Sequence, residues 1–438
     1  MDTQAFAVIA AGVILFGVVS RRLETSLLTG PMLFSAFGLV IGGAVLGLAD
    51  LDFGHGFIHG LAEFTLILVL FSDAARIDLR AVKRDHDLPL RMLVLGMPLI
   101  IVAGAAAALA LPLGLGLWEA ALLAAILAPT DAALGQSVVA SPLVPARIRQ
   151  ALNIESGLND GIALPLVLLF ACLASATHAV EGDRNWILFG FLQITLGPLT
   201  GIAIGWLAAH LIDRAVKSGW MAETYEGPAI LGVALLAFAG AELIGGNGFI
   251  AAFVAGLVFG NQVRERCGFL FEFAEAEGQL LTLLTFLIFG AAILPEAFGH
   301  TGPAVLLYAL LSLTVIRMVP IGLSLTGAGL RLPSIGFLAW FGPRGLASIL
   351  FALFVLEESE MPGSETIMVT VIVTVALSIL AHGLSAAPAA RWYGGLVKAR
   401  PDCAEARPVS EMPTRRQVSR GKREAVPDRR KASEETSC

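Results

Sequence analysis

The chain has 438 residues, of which 56% are hydrophobic and 15% charged, with a formal net charge of −6 and a mean hydropathy of +0.80. An ordinary soluble domain carries roughly 25% charged residues, so this composition excludes one. The chain reads as an all-α polytopic membrane protein whose first partner is the lipid bilayer, and no nucleic-acid partner is expected.

Taken in chain order, apolar runs fall at approximately 5–20, 28–48, 57–76, 91–112, 117–140, 150–176, 186–212, 228–245, 247–262, 274–296, 303–325, 334–356 and 365–390. Each is roughly long enough for a hydrocarbon core of about 30 Å, so about thirteen transmembrane helices are expected. The runs do not alternate apolar and polar residues, which excludes a β-barrel. The first follows Asp2 without a basic n-region or an A-x-A site and reads as a retained helix. At Gly245, Gly246, Asn247 and Gly248 one apolar stretch is either two short helices or one kinked helix.

Lys and Arg gather in cytoplasmic loops. Here Arg21 and Arg22, the group from Arg76 to Arg91, Arg147 and Arg149, Arg214 and Lys217, Arg264 and Arg266, and Arg331 all fall in alternate loops. The other loops hold Arg184 and the acids Asp50, Asp52, Glu119, Glu181, Asp183, Glu296, Glu357, Glu358 and Glu360, which face outward in this reading. The N-terminus is therefore expected outside and the C-terminus in the cytoplasm. Composition divides the chain into a transmembrane domain, 1–398, and a tail, 399–438, rich in Arg, Lys, Glu, Ser and Pro, which reads as disordered. Basic patches in the tail can touch anionic lipid. Cys172, Cys267, Cys403 and Cys438 have no metal or disulfide spacing, so cysteine chemistry is not expected.

Asp131, Glu155, Asp160, Arg317 and Arg344 lie inside apolar runs, with Asp73 and Glu242 nearer helix ends. A charge at mid-helix costs roughly 2.5 to 3.5 kcal/mol unless it is paired or faces water, so these residues are functional candidates. In ESGLNDG, 155–161, Glu155 and Asn159 are four apart, as are Ser156 and Asp160, and together they cover about 140° of one helix face. Hard oxygen ligands of this kind suit Na+, Li+ or H+, and a network that merely fixes helix packing is the alternative.

Two breaks accompany this face. LAPTDAALG, 127–135, places Pro129 inside the fifth run beside Asp131, and WFGPRGLAS, 340–348, interrupts the twelfth around Arg344. Proline removes a backbone donor and crowds the preceding turn, so local unwinding is expected, with carbonyls near Asp131 free for a cation. Runs 1–6 and 8–13 then form two inverted six-helix repeats with paired unwound helices, a pattern that points to a transporter site near the midplane. Asp131 offsets the partial positive helix N-termini that meet there, and Arg344 the partial negative C-termini.

APTD at 128–131, ESGLNDG and GPRG at 342–345, in that order, resemble the monovalent cation/proton antiporter superfamily. Asn159 beside Asp160 resembles its NhaP/NHE-type Na+/H+ exchanger branch. The resemblance covers roughly residues 5 to 395. It implies that Asp160 binds a cation and a proton in turn, with Ser156 and the Thr130 carbonyl as further Na+ ligands. It also implies that Glu155 and Asn159 interact beside it and that Arg317 neutralises Glu155. Asp73 matches a position where relatives often carry Glu followed by glycines, here followed by Ala74 and Ala75; Glu242 matches a recurrent acidic position or a loop contact. The resemblance further implies a homodimer in the plasma (inner) membrane, a role in pH homeostasis, no cofactor and no enzyme activity. Because an amide cannot titrate, Asn159 makes the expected Na+(Li+)/H+ exchange electroneutral. K+/H+ exchange is the alternative; a cation channel, or an aspartyl protease built on Asp131 and Asp160, is more remote.

Overall fold

A computed structural model of the chain describes residues 3–23, 26–47, 55–84, 86–131, 134–178, 186–263, 268–357, 361–399, 404–406 and 409. In lipid every backbone N–H and C=O must be satisfied within the protein, and apolar helices achieve this. Accordingly the described residues contain helices and no strand. The first half comprises α1 (Thr3–Leu23), α2 (Gly30–Ile41), α3 (His55–Arg76), α4 (Asp87–Ala110), α5 (Leu117–Ile126), α6 (Gln136–Val139) and α7 (Ala146–His178). The long α8 (Trp186–Lys217) leads into the second half: α9 (Glu226–Leu243), α10 (Gly248–Val263) and α11 (Gly268–Ile288, continued through a π-helical turn, Phe289–Ile293, to Phe298). It closes with α12 (Pro303–Ser324), α13 (Leu332–Trp340), α14 (Leu346–Glu357) and α15 (Ser364–Lys398).

The described helices follow the expected runs in order, with α5/α6 and α13/α14 as the two broken ones. The glycine-rich stretch after the eighth run separates two helices: Gly245 adopts φ +79°, which favours glycine, and Asn247 Oδ1 accepts from Ile250 N at 3.0 Å to start α10. α15 runs about two turns beyond its apolar run, to Lys398, and this last part carries Arg391 and Lys398. Asp50, Asp52, Glu181, Asp183, Arg184, Arg264, Arg266, Cys267, Glu358 and Glu360 lie outside the described residues, as does nearly all of the segment expected to be disordered. Within that segment Ala404–Ala406 forms a short helical turn, and Glu405 is buried rather than solvated.

The chain is inverted in polarity relative to a soluble protein. Large apolar side chains such as Val18, Leu199 and Leu211 are exposed, whereas Glu155, Arg317 and Arg344 are buried. Helices from both halves interleave. α3 packs on α10, and α2 on α11, while α5 and α7 share a second group with α4, and α12, α13 and α15 pack together beside them. With lipid outside, packing must come from close approach of small residues. Gly197, Gly201 and Gly205 of α8 lie on one face, where a Cβ would stand 2.8, 2.5 and 2.7 Å from the carbonyl oxygens of Asn247, just before α10, and of Ala251 and Ala255 on it. Gly201→Leu should therefore lower stability by about 1–3 kcal/mol or more, read as an earlier thermal transition in detergent. A parental transition would show that α8 and α10 do not pack this closely.

Candidate functional site

The site begins with the two breaks. α5 stops at Ile126 and α6 begins at Gln136, and Pro129 lies in the irregular stretch between them. α13 stops at Trp340 and α14 begins at Leu346, with Gly342, Pro343, Arg344 and Gly345 between. The two irregular segments meet where Asp131 N donates to Pro343 O at 2.8 Å, and the flanking helices meet where Ser348 Oγ of α14 donates to Ile126 O of α5 at 2.8 Å.

Helix ends left inside a membrane expose unpaired N–H and C=O groups. Arg344, fully buried, donates from Nη1 to Ala128 O at 2.7 Å and to Pro129 O at 3.2 Å, just beyond the C-terminus of α5. Asp131 Oδ2 accepts from Leu346 N at 2.9 Å, at the N-terminus of α14. Each charge faces the helix end of opposite partial sign, so Asp131 is engaged in holding the crossing together. Two glycines make room for the charged groups. A Cβ on Gly345 would overlap the Asp131 carboxylate, and one on Gly342 would overlap the Arg317 guanidinium.

The polar face of α7 lies against this crossing. Arg317 Nη2 donates to Glu155 Oε1 at 3.0 Å and Oε2 at 3.1 Å, and its Nε to Ala339 O at 3.2 Å near the end of α13. Ser156 Oγ donates to Thr130 O at 2.6 Å. Asn159 Nδ2 donates to Thr130 Oγ1 at 2.6 Å, and not to Glu155 as the resemblance implied. Both Glu155 oxygens accept from Arg317, and the Thr130 hydroxyl is the acceptor that stands within reach of the Asn159 amide. Asp160, one helical turn beyond Ser156, is 7% exposed, and its Oδ1 has no hydrogen-bond partner among the described residues. The same holds for Asn159 Oδ1. The crossing therefore places a satisfied carboxylate pair partner, Glu155, beside a carboxylate with an unfilled oxygen.

Two further sequence candidates, Asp73 and Glu242, have contacts of their own. The Asp73 carbonyl packs toward Gly157, next to Ser156, while its carboxylate is 3.8 Å from Arg76 Nη1. Glu242 Oε1 accepts from Gly248 N at 2.7 Å and so caps α10, the loop-contact alternative. Glu119, read from sequence as an outward loop acid, is buried at the start of α5, where its oxygens accept from Gly116 N at 2.8 Å and Gly363 N at 3.0 Å. Ser378 and His382 were missed. Ser378 Oγ accepts from Arg344 N at 2.7 Å, and His382 spans from Ser378 to Trp340 O, 3.0 Å from its Nε2, bracing both sides of the second break. A histidine inside the apolar run of α15 was a usable signal.

The family described as sodium/hydrogen exchanger, transmembrane, matches residues 7–392, in agreement with the three motifs. The K(+)/H(+) antiporter NhaP2 of Shewanella oneidensis is 28% identical over 277 residues, 62% of this chain and 46% of that protein. The K(+)/H(+) antiporter NhaP of Alkalimonas amylolytica is 25% identical over 405 residues, 90% of this chain and 67% of that one. The Na(+)/H(+) antiporter NhaS2 of a Synechocystis species is 28% identical over 360 residues, covering 78% and 64%. The chain spans about half the length of the NhaP2 relatives it matches. The sodium proton antiporter MjNhaP1 of Methanocaldococcus jannaschii shares the fold, with a TM-score of 0.71 at 20% identity over 89% of this chain and 99% of that one.

Removing one member of the Glu155–Arg317 pair leaves a buried charge without its partner. Glu155→Ala and Arg317→Ala should each cost about 3–5 kcal/mol, read by thermal unfolding in detergent, and the double variant should lose less than the sum. Single variants that melt like the parent would remove the pair from the account.

Proposed function

We propose that this chain, which belongs to the sodium/hydrogen exchanger family, is a monovalent cation/proton antiporter, a transporter and not an enzyme, with Asp160 as the exchanging group. The observation that carries this reading is a buried carboxylate oxygen without a partner, on the helix face that touches an unwound backbone. A bare charge is costly inside the membrane, so this carboxylate is stable when it holds a proton or a cation, and the two compete for it. Ser156 Oγ and the Thr130 carbonyl supply the further oxygen ligands. Asp131, Arg344, Glu155 and Arg317 hold charge balance and backbone geometry around them, and Asp73 stands on the approach.

In this reading the cargo is Na+ or Li+, exchanged one for one with H+, because Asn159 is an amide. K+ is a second reading, favoured by the relatives named K(+)/H(+) antiporters. The assignment extends to an N-terminus outside, a cytoplasmic C-terminus, residence in the plasma (inner) membrane as a homodimer, a tail from residue 399, and a contribution to pH homeostasis. Alternating access by movement of one helix group against the other completes the cycle.

The test is proton flux in proteoliposomes on addition of Na+, Li+ or K+. Asp160→Asn, which can neither ionise nor deliver a proton, should reduce flux to that of empty vesicles while the variant elutes as folded protein. Retained cation-driven flux in that variant would exclude Asp160 as the carrier.

A further inference from the structure

The two broken runs begin in the same way, with carboxylates of different origin. At the start of α5, the N–H of its N-cap Gly116 donates to Glu119 Oε2, and Glu119 Oε1 accepts from the N-cap of α15, Gly363. At the start of α13, the N–H of its N-cap Arg331 donates to Glu405 Oε1 at 3.1 Å, and Arg331 Nε reaches the same oxygen at 3.4 Å. Ser334 occupies the third position of α13, which Glu119 holds in α5. Its hydroxyl donates to Glu405 Oε1 at 2.6 Å and accepts from Tyr393 of α15 at 2.9 Å. Beside it, Arg147 in the first turn of α7 donates to Ala404 O at 2.8 Å. On one side, then, a carboxylate internal to α5 ties that half-helix to the start of α15. On the other, a carboxylate from beyond α15 caps α13, while the backbone carbonyl of the preceding residue, Ala404, holds the start of α7. These are corresponding positions of the two inverted repeats.

We infer that Glu405 is a positioning residue for the ion site, a detachable helix cap that the C-terminal segment supplies to α13 where α5 carries its own. Glu405 is 1% exposed and Ser334 0%, so the contact is a built one and not a surface encounter. α13 has nine residues, a rod of about 14 Å. Its far end offers Ala339 O to Arg317 and Trp340 O to His382, and then passes directly into Gly342–Gly345. Tilting the capped end moves the crossing that Asp131 and Arg344 hold. Because the carboxylate comes from a different part of the chain, the cap can be released without unfolding α13, which Glu119 in α5 does not permit.

The transport readout of this inference rests on the antiporter reading, whereas amide exchange reads the cap itself. Glu405→Gln keeps shape and removes charge. It should speed hydrogen exchange at the Arg331 amide, the N-cap of α13, and raise the apparent KM for the cation from the cytoplasmic side roughly three- to tenfold, with Vmax within about twofold. A chain ending at Ala399 should behave alike and be restored by Ser334→Glu, which returns the carboxylate to the position it has in α5. A peptide spanning residues 400–411, added to the shortened chain, should also restore it, while the same peptide with Glu405→Gln should not. Unchanged amide exchange in Glu405→Gln would remove the cap. Faster exchange with a parental KM would reduce Glu405 to a structural contact and overturn its positioning role. A parent without cation-driven flux would sink the antiporter reading instead, leaving amide exchange and the two peptides to decide the cap.

Discussion

The crossing of two unwound segments inside the bilayer is the constraint on which the rest depends. Interrupting a helix at that depth frees backbone groups that lipid cannot satisfy. Arg344 takes the carbonyls of Ala128 and Pro129, and Asp131 takes the amide of Leu346, so each break is repaired by a charge from the other. The repair fixes Thr130 between them, and Thr130 in turn organises α7: its carbonyl accepts from Ser156 and its hydroxyl from Asn159.

Charge accounting follows from the same geometry. Glu155 and Arg317 neutralise each other, and Asp131 and Arg344 each answer a helix end. Asp160 is the acid of the α7 face that this arrangement leaves with an open oxygen. A fully satisfied network would be a rigid packing device. A carboxylate with an open oxygen, beside acids that are engaged by Arg317 and by the Leu346 amide, is instead suited to exchanging small cations, because those acids stay fixed while its partner changes.

Much of this was legible in the sequence. The cost of charge in an apolar run singled out Asp131, Asp160, Arg317 and Arg344, and proline and glycine chemistry located both breaks. What was not legible required partners distant in sequence. Glu119 and Glu405 looked like loop and tail acids because a carboxylate's depth depends on which backbone N–H groups return to it. Asn159 bonds Thr130, which the first break brings against α7, a contact that spacing along one helix does not encode. His382 stands inside an apolar run as Asp131 does, but a histidine carries no fixed charge and so signals its burial less sharply.

The central claim is that one carboxylate exchanges one cation for one proton. Membrane potential acts on net charge at about 2.3 kcal/mol per elementary charge per 100 mV, so a cycle that moves no net charge has no thermodynamic response to it. The most direct measurement uses proteoliposomes with equal and parallel cation and H+ concentration gradients, each ratio the same from inside to outside, with and without an imposed diffusion potential carried by an ion the protein does not transport. The account predicts that net flux vanishes at this balance and stays absent under voltage. A null point that moves with voltage would show unequal stoichiometry and contradict the assignment of Asp160 as the sole exchanging group beside a neutral Asn159.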